Sequence, residues 1–326
     1  MNNTILEKMH GCFMGCIVGD AFGAGREFSK RSREDEPKIR TMQPIRHFGG
    51  LPAGSWTDDT SMMLCLAESI IEYGCFDHRT SMNYYLRWLN NGHNSVTGRA
   101  FDIGNTCQRA IIEYKMKGYL PARTIEEYFQ SNGCLMRLAP IPIFYSYDLE
   151  EAVRVSGESA LTTHAHPVCK RTTELYGWLL ASAIRGQQNK EELLHFVGAP
   201  QWLLEGYEPT IGCPDLTSIL PIITGDYLKK SYRELDNTGY VVGGLATAMW
   251  IFANTSTFQD GLISIVHLGG DSDTLGAIYG MLAGAYYGFD SIPADWLEAL
   301  QGKAIYEPIW CRFKDFIIEQ YAIVDL

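Results

Sequence analysis

The sequence predicts an all-α protein. Apolar residues recur at helical spacing along most of the chain, and clear alternating strands are hard to find. A stripe of Gly11, Gly15, Gly19 and Gly23 at four-residue spacing adds to this, because it would let another helix backbone approach closely. The first helix, over residues 5–19, carries most of that stripe. The next runs from Ser61 to Tyr73, with polar and apolar positions spaced for one buried stripe and Gly74 as its stop. Further helices are expected over 80–90, 103–117, 124–131, 168–185, 189–197, 240–254, 258–267, 273–287 and 303–321. Two stretches break the pattern. Arg26 to Ser55 holds the charged run Lys30 to Glu36 and then Gly49, Gly50, Pro52 and Gly54; it reads as a solvated loop near the chemistry, in the manner of a lid. Residues 205–236 hold Pro209, Gly212, Pro214 and Pro221. No linker, low-complexity tract or tandem repeat divides the chain, so one domain over 1–326 is expected.

The composition is that of a globular protein: 326 residues, 46% hydrophobic and 20% charged. A net charge of −11 argues against a nucleic-acid groove, which needs clustered Lys and Arg to displace phosphate counterions. No apolar run reaches the roughly 18 residues of a membrane span. The uncharged run Thr274 to Phe289 reads as a core helix. The apolar stretch from Gly11 to Gly19 follows Glu7 and runs into Asp20, which is unlike a signal peptide. The 9 Cys are odd in number and scattered, without CxxC pairs, so buried reduced thiols in a cytoplasmic protein are expected.

Two short motifs concentrate carboxylates: Trp56-Thr57-Asp58-Asp59-Thr60 and Gly269-Gly270-Asp271-Ser272-Asp273-Thr274, each just before a helix. Capping explains one acid at such a place, since Asp and Thr oxygens accept bonds from unpaired N–H groups. It rarely explains two acids at two sites. Packed carboxylates suppress one another's ionisation unless a cation compensates them, and an all-oxygen set suits Mg²⁺ or Mn²⁺ rather than zinc. An EF-hand is excluded, because Leu275 and Leu282 stand where a calcium loop needs oxygen ligands. The pair His164 and His166 lacks a third nitrogen or sulfur ligand at comparable spacing. From the residues alone, capping and metal binding both stand.

With these motifs, together with Gly19-Asp20-Ala21-Phe22-Gly23-Ala24, Glu27, Phe101-Asp102-Ile103-Gly104-Asn105-Thr106 and Thr163-His164-Ala165-His166-Pro167, the chain resembles the ADP-ribosylglycohydrolase family over nearly its whole length. That family includes dinitrogenase reductase-activating glycohydrolases and ADP-ribosylarginine hydrolases. The resemblance implies a single-domain orthogonal helical bundle with a dinuclear Mg²⁺ or Mn²⁺ centre. It implies Thr57, Asp58 and Asp59 as one ligand group and Asp271, Asp273 and Thr274 as the other. Asp58, Asp59, Asp102 and Glu27 are the implied acid–base set; read locally, Glu27 is an acid on a charged loop and Asp102 a cap for helix 103–117.

Asn105, Gly104, Gly133 and His164 are the implied substrate-binding residues, with His164 on the ADP-ribose cleft and His166 without a role. Arg137 meets a phosphate or pairs with an acid, and Asp20, near the end of an apolar helix, needs a partner close by. The implied reaction releases ADP-ribose from a modified protein, with the N-glycosidic bond to arginine favoured by the Asp102–Asn105 segment. Serine-linked, O-acetyl and nucleobase conjugates share the ribose chemistry. Two other classes are compatible with the sequence. One is an immunity protein that blocks an ADP-ribosyltransferase, for which the ten residues before Gly11 make a short arm. The other is a two-metal phosphohydrolase, which fits the same oxygen ligands.

Overall fold

The computed structural model describes residues 3–33, 36–118, 120, 122–207 and 215–324. Glu34, Asp35, Pro209, Gly212, Cys213 and Pro214, all singled out above, lie outside the described residues. The helices in chain order are α1 (Asn3–Ala24), α2 (Asp58–Tyr73), α3 (His78–Asn91), α4 (Asn105–Lys117), α5 (Pro140–Tyr145), α6 (Leu149–Ala160), α7 (Pro167–Ile184) and α8 (Lys190–Leu194). They continue as α9 (Gln201–Leu204), α10 (Leu220–Ile223), α11 (Val241–Asn254), α12 (Phe258–Val266), α13 (Ser272–Tyr287), α14 (Ala294–Ala299) and α15 (Lys303–Val324). Among the described residues no strand forms, only the isolated bridges Ile45–Leu51 and Ser131–Tyr240. The all-α expectation holds.

The glycine stripe of α1 finds its partner in α13. A Cβ added at Gly15 would sit 2.0 Å from the Gly280 carbonyl oxygen, and one at Gly19 would sit 2.0 Å from that of Gly276. Gly11 faces Gly284 and Gly23 faces Ser272 in the same antiparallel register, at 2.2 and 2.1 Å. Backbone therefore lies directly on backbone along four turns, a packing open only to residues without a side chain. This contact sets the C-terminal end of α1 against the N-terminal end of α13. Both helices are buried, and the surrounding apolar residues of α2, α7, α11 and α12 join them in one connected core.

Several expectations need correction. Residues 124–131 form only a 3₁₀ turn, Glu127–Phe129, because Ile125 and Tyr128 are exposed and Phe129 is the one buried apolar residue among them, leaving no stripe to dock. Helix α6 was not expected. Its face toward α7 is built of small residues: Gly157 lies against the Glu174 side chain, and Gly177 of α7 lies against Ser156. Ala152, Val153, Val155 and Ala160 complete the buried face, so the helix is amphipathic in the ordinary way. Helix α1 continues five residues past its expected end, to Ala24. Of the eight described cysteines, six are buried and all are free thiols, but Cys75 is half-buried and Cys311 exposed. No helix among the described residues is long and apolar enough to cross a membrane.

The glycine contact predicts a sharp asymmetry between substitutions. Gly15→Ala drives a methyl group into a backbone carbonyl and should cost about 3 kcal/mol or more, lowering Tm by about 5 °C. Gly104→Ala, where a Cβ would meet nothing within 4 Å, should leave Tm nearly unchanged. Calorimetry of both variants checks the difference.

Candidate active site

Asp20, one turn from the end of α1, is fully buried and reaches across to the start of α2. Its carboxylate accepts from the Thr57 amide at 3.0 Å, the Thr60 amide at 3.0 Å, the Thr57 hydroxyl at 3.0 Å and the Thr60 hydroxyl at 2.6 Å. Asp20 thus satisfies the orphan amides of α2 from another helix, and the Thr57 side chain does not cap. Asp58 and Asp59 are left as the first two helical residues, free of capping duty. The same holds at α13, where the Asp271 side chain makes no capping bond. Local capping, which the residues alone left open, is not what these acids do.

The chain reaches Asp271 through two consecutive left-handed glycines, Gly269 (φ 64°) and Gly270 (φ 65°). A Cβ at Gly270 would lie 2.1 Å from the Asn237 carbonyl oxygen, so only glycine fits. The turn is laced to the segment after α1: Phe28 donates to the Gly270 carbonyl, and Gly270 to that of Ser29. That lacing anchors one end of the Arg26–Ser55 loop and carries Glu27 inward, where it is buried. Phe28 (φ 58°) and Asp102 (φ 61°) both adopt left-handed backbone, which costs of order 1–3 kcal/mol each and is tolerated where the surroundings hold it. Helix α4 starts at Asn105 with Gly104 as its cap, so Asp102 is not a helix cap either.

Two groups of acids result. Oxygens of Asp20, Asp59 and Asp273 lie within 4.8 Å of one another, and so do those of Glu27, Asp102 and Asp273. The Thr57 hydroxyl stands 3.1 Å from Asp59, and that of Thr274 stands 3.5 Å from it. Four of these carboxylates, three buried and Asp102 half-buried, keep an oxygen with no hydrogen-bond partner: Asp59 Oδ1, Asp273 Oδ1, Glu27 Oε2 and Asp102 Oδ2. Burial pushes the carboxyls of Asp58, Asp59 and Asp273 well above their ordinary range, and neighbouring acids push in the same direction. Glu27 and Asp102 are also raised, by burial first; the Asp102 charge adds to the rise at Glu27. Asp271 is raised by burial, with a hydrogen bond from Asn132 opposing.

Glu27, Asp58, Asp102, Asp271 and Asp273 open on a cavity of about 770 Å³ walled also by Phe28, Asn105, Tyr128, Asn132, Met136, Asn237 and Thr238, with Asp59 buried beneath them. Among the described residues no Lys, Arg or His lines it. Uncompensated oxygens with no protein cation are the donor chemistry of a hard divalent ion. The residues present therefore fit such a centre. Asp20, although near it, has its oxygens engaged by Thr57 and Thr60 and serves to position them.

Gly104, Asn105 and Gly133 lie on the cavity wall as expected. His164 does not: it is completely buried behind that wall, bonded through Nε2 to Ser131 and through Nδ1 to Thr163, both at 2.8 Å. His166 caps α7, with Nδ1 accepting from the Val168 amide at 3.2 Å. Arg137 meets neither phosphate nor acid, being sealed behind the wall. Asn132 escaped sequence reasoning, yet it lines the cavity and donates to Asp271 at 2.6 Å. Its Asn-Gly dipeptide was the available signal, as was the Asn-x-Gly turn of Asn237-Thr238-Gly239.

A family model described as ADP-ribosylglycohydrolase matches residues 1–322. The chain is 33% identical over 295 residues to the ADP-ribosylarginine hydrolase Tri1 of Serratia proteamaculans (strain 568), covering 90% of this chain and 75% of that one. It is 30% identical to the ADP-ribosyl-[dinitrogen reductase] glycohydrolase of Rhodospirillum rubrum, covering 92% of each. A solved structure titled "ADP-ribosylglycohydrolase-related protein complex" superposes with a TM-score of 0.77 at 35% identity, covering 97% of this chain and 100% of that one. With the all-α fold and paired acid clusters in place, these matches show that the chain belongs to the ADP-ribosylglycohydrolase family.

Proposed function

We propose that the chain, one domain throughout, is a metal-dependent hydrolase that cleaves the N-glycosidic bond between ADP-ribose and an arginine side chain of a modified protein. The observation that carries this reading is the convergence of buried carboxylates with unpartnered oxygens on a cavity that holds no basic side chain. Such a cavity draws in cations, a guanidinium included, whereas a neutral serine ether gains nothing from it. Similarity to an ADP-ribosylarginine hydrolase supports the same linkage.

Thr57, Asp58 and Asp59 would hold one divalent cation and Asp271, Asp273 and Thr274 the other, Mg²⁺ or Mn²⁺. When bound, such ions would offset part of the carboxylate charge and supply Lewis acidity that lowers the pKa of water. The protein supplies the rest. Asn132 fixes one Asp271 oxygen, leaving the other to face the cavity. The glycosidic C–N bond breaks as a C–O bond to water forms. Water gives up one proton to a carboxylate, and the departing guanidine nitrogen takes one from a carboxyl group. Glu27, Asp58, Asp59 and Asp102 form the set that moves these protons, since neighbouring acids whose environments differ divide the two roles. Glu27 and Asp102 are held for this by the strained backbone at Phe28 and Asp102. Gly104, Gly133 and Asn105 bound the nucleotide side of the cavity. The physiological partner is an ADP-ribosylated protein, which implies a transferase that modifies it.

The test is release of free ADP-ribose from an ADP-ribosylarginine protein with Mg²⁺, with Mn²⁺ and with chelator. Release should require the ion and fall at least about a hundredfold in an Asp58→Asn/Asp59→Asn double variant. A folded, ion-loaded protein that releases nothing from this substrate but acts on a serine-linked one would overturn the arginine assignment.

The raised carboxyls also fix the sign of a pH effect. Folded apo-protein binds more protons than the unfolded chain above about pH 4, the ordinary carboxylate range, so its stability falls as pH rises toward neutrality. Tm of chelated protein should therefore drop between about pH 5 and 8. An ion at a hundredfold its Kd adds about 2.7 kcal/mol, or about 4 °C, and should flatten the drop. A chelated Tm that instead rises over this range would contradict the arrangement.

A further inference from the structure

Arg137 is 2% exposed, yet it makes no ion pair among the described residues. Its guanidinium donates to the hydroxyls of Thr162 at 3.0 Å and Thr163 at 2.5 Å, meets Cys107 Sγ at 3.6 Å and Met62 Sδ at 3.8 Å, and lies 4.8 Å from the Tyr85 ring centre. A buried charge compensated only by neutral groups is an expensive way to fill space. It is, however, a group that can only donate.

From Arg137 a chain of hydrogen bonds runs to the cavity, and its direction is determined. Ser131 Oγ donates to Thr106 Oγ1 at 3.0 Å, which commits its one proton. His164 Nε2, 2.8 Å from Ser131 Oγ, must then carry the hydrogen of that bond. Burial, with the Arg137 charge adding, holds the His164 ring well below its ordinary pKa, so it is neutral and Nδ1 accepts. The Thr163 hydroxyl, 2.8 Å from Nδ1, donates there while accepting from Arg137. Every proton points the same way. The last one, on Thr106, has no acceptor among the described residues, and Thr106 lines the cavity.

We propose that Arg137 is a positioning residue that, through Thr163, His164 and Ser131, aligns the Thr106 hydroxyl as a hydrogen-bond donor to a diphosphate oxygen of bound ADP-ribose. This rests on the ADP-ribose reading above. A hydroxyl with a proton to give, at the end of a relay that starts from a buried guanidinium, suits an anionic oxygen, and the diphosphate is the anionic part of that ligand.

The relay is tested by calorimetric titration of free ADP-ribose into Mg²⁺-loaded protein. Because an Arg137→Met variant can fail to fold, the informative variants are Thr163→Val and Thr106→Val. Each is isosteric, and Thr163→Val leaves Arg137 its bonds to Thr162 and Cys107. Each should weaken binding about tenfold or more, and the double variant should be no weaker than either alone, because both break one relay. In ¹⁵N-histidine spectra His164, identified by its loss in His164→Gln, should show the Nε2–H tautomer in wild type and lose it in Thr163→Val. Undiminished binding by Thr163→Val, additive losses in the double variant, or an Nδ1–H tautomer in wild type would overturn the proposal. A folded wild-type protein that binds no ADP-ribose would instead overturn the functional reading, and the proposal with it.

Discussion

The close approach of α1 and α13 is the constraint on which the site depends. Four glycine positions of α1 lie on the backbone of α13 in one register, which places the last turn of α1 beside the first turn of α13. Everything chemical follows from those two helix ends. Asp20 leaves α1 just in time to hold the start of α2, Glu27 follows after one turn of loop, and Asp271 and Asp273 stand at the mouth of α13. A side chain anywhere along the seam would separate the ends and scatter the acids.

The site is built by moving satisfaction elsewhere. Helix N-termini ordinarily employ their own acids as caps, and doing so would have exhausted the oxygens of Asp58, Asp59 and Asp273. Here the amides of α2 are met by Asp20 and the α13 entry is held by backbone bonds to Asn237. Asp58 and Asp273 line the cavity, and Asp59 and Asp273 each keep a buried oxygen without a hydrogen-bond partner. Such an arrangement is unfavourable in isolation and becomes favourable with cations present, which joins stability to function in one set of residues.

Behind the opposite wall the logic is reversed. Arg137 is a lone buried cation surrounded by hydroxyls, thiol and ring. The cavity lining thus combines carboxylates with the hydroxyl and amide groups of Thr106, Ser131 and Asn132.

The sequence by itself determined the fold class and the acids. Helical periodicity, the glycine stripe and the two motifs at 57–60 and 269–274 are local patterns, and local patterns survive without coordinates. It did not determine which helix the stripe meets, since any small-residue face is compatible with it. Nor could it separate capping from ligation, because a cap supplied by Asp20 from 37 residues away is invisible to spacing. The amphipathic pattern of α6, with Ala152, Val153, Val155 and Ala160 on its buried face, was legible in the sequence, whereas the turn at 124–131 has helical spacing without burial, since periodicity does not report exposure. Tertiary structure alone decided the places of His164 and Arg137: one layer behind the cavity wall, where a residue acts through its neighbours. That position depends on the packing of α4, α7 and the loops between, and no sequence interval encodes it.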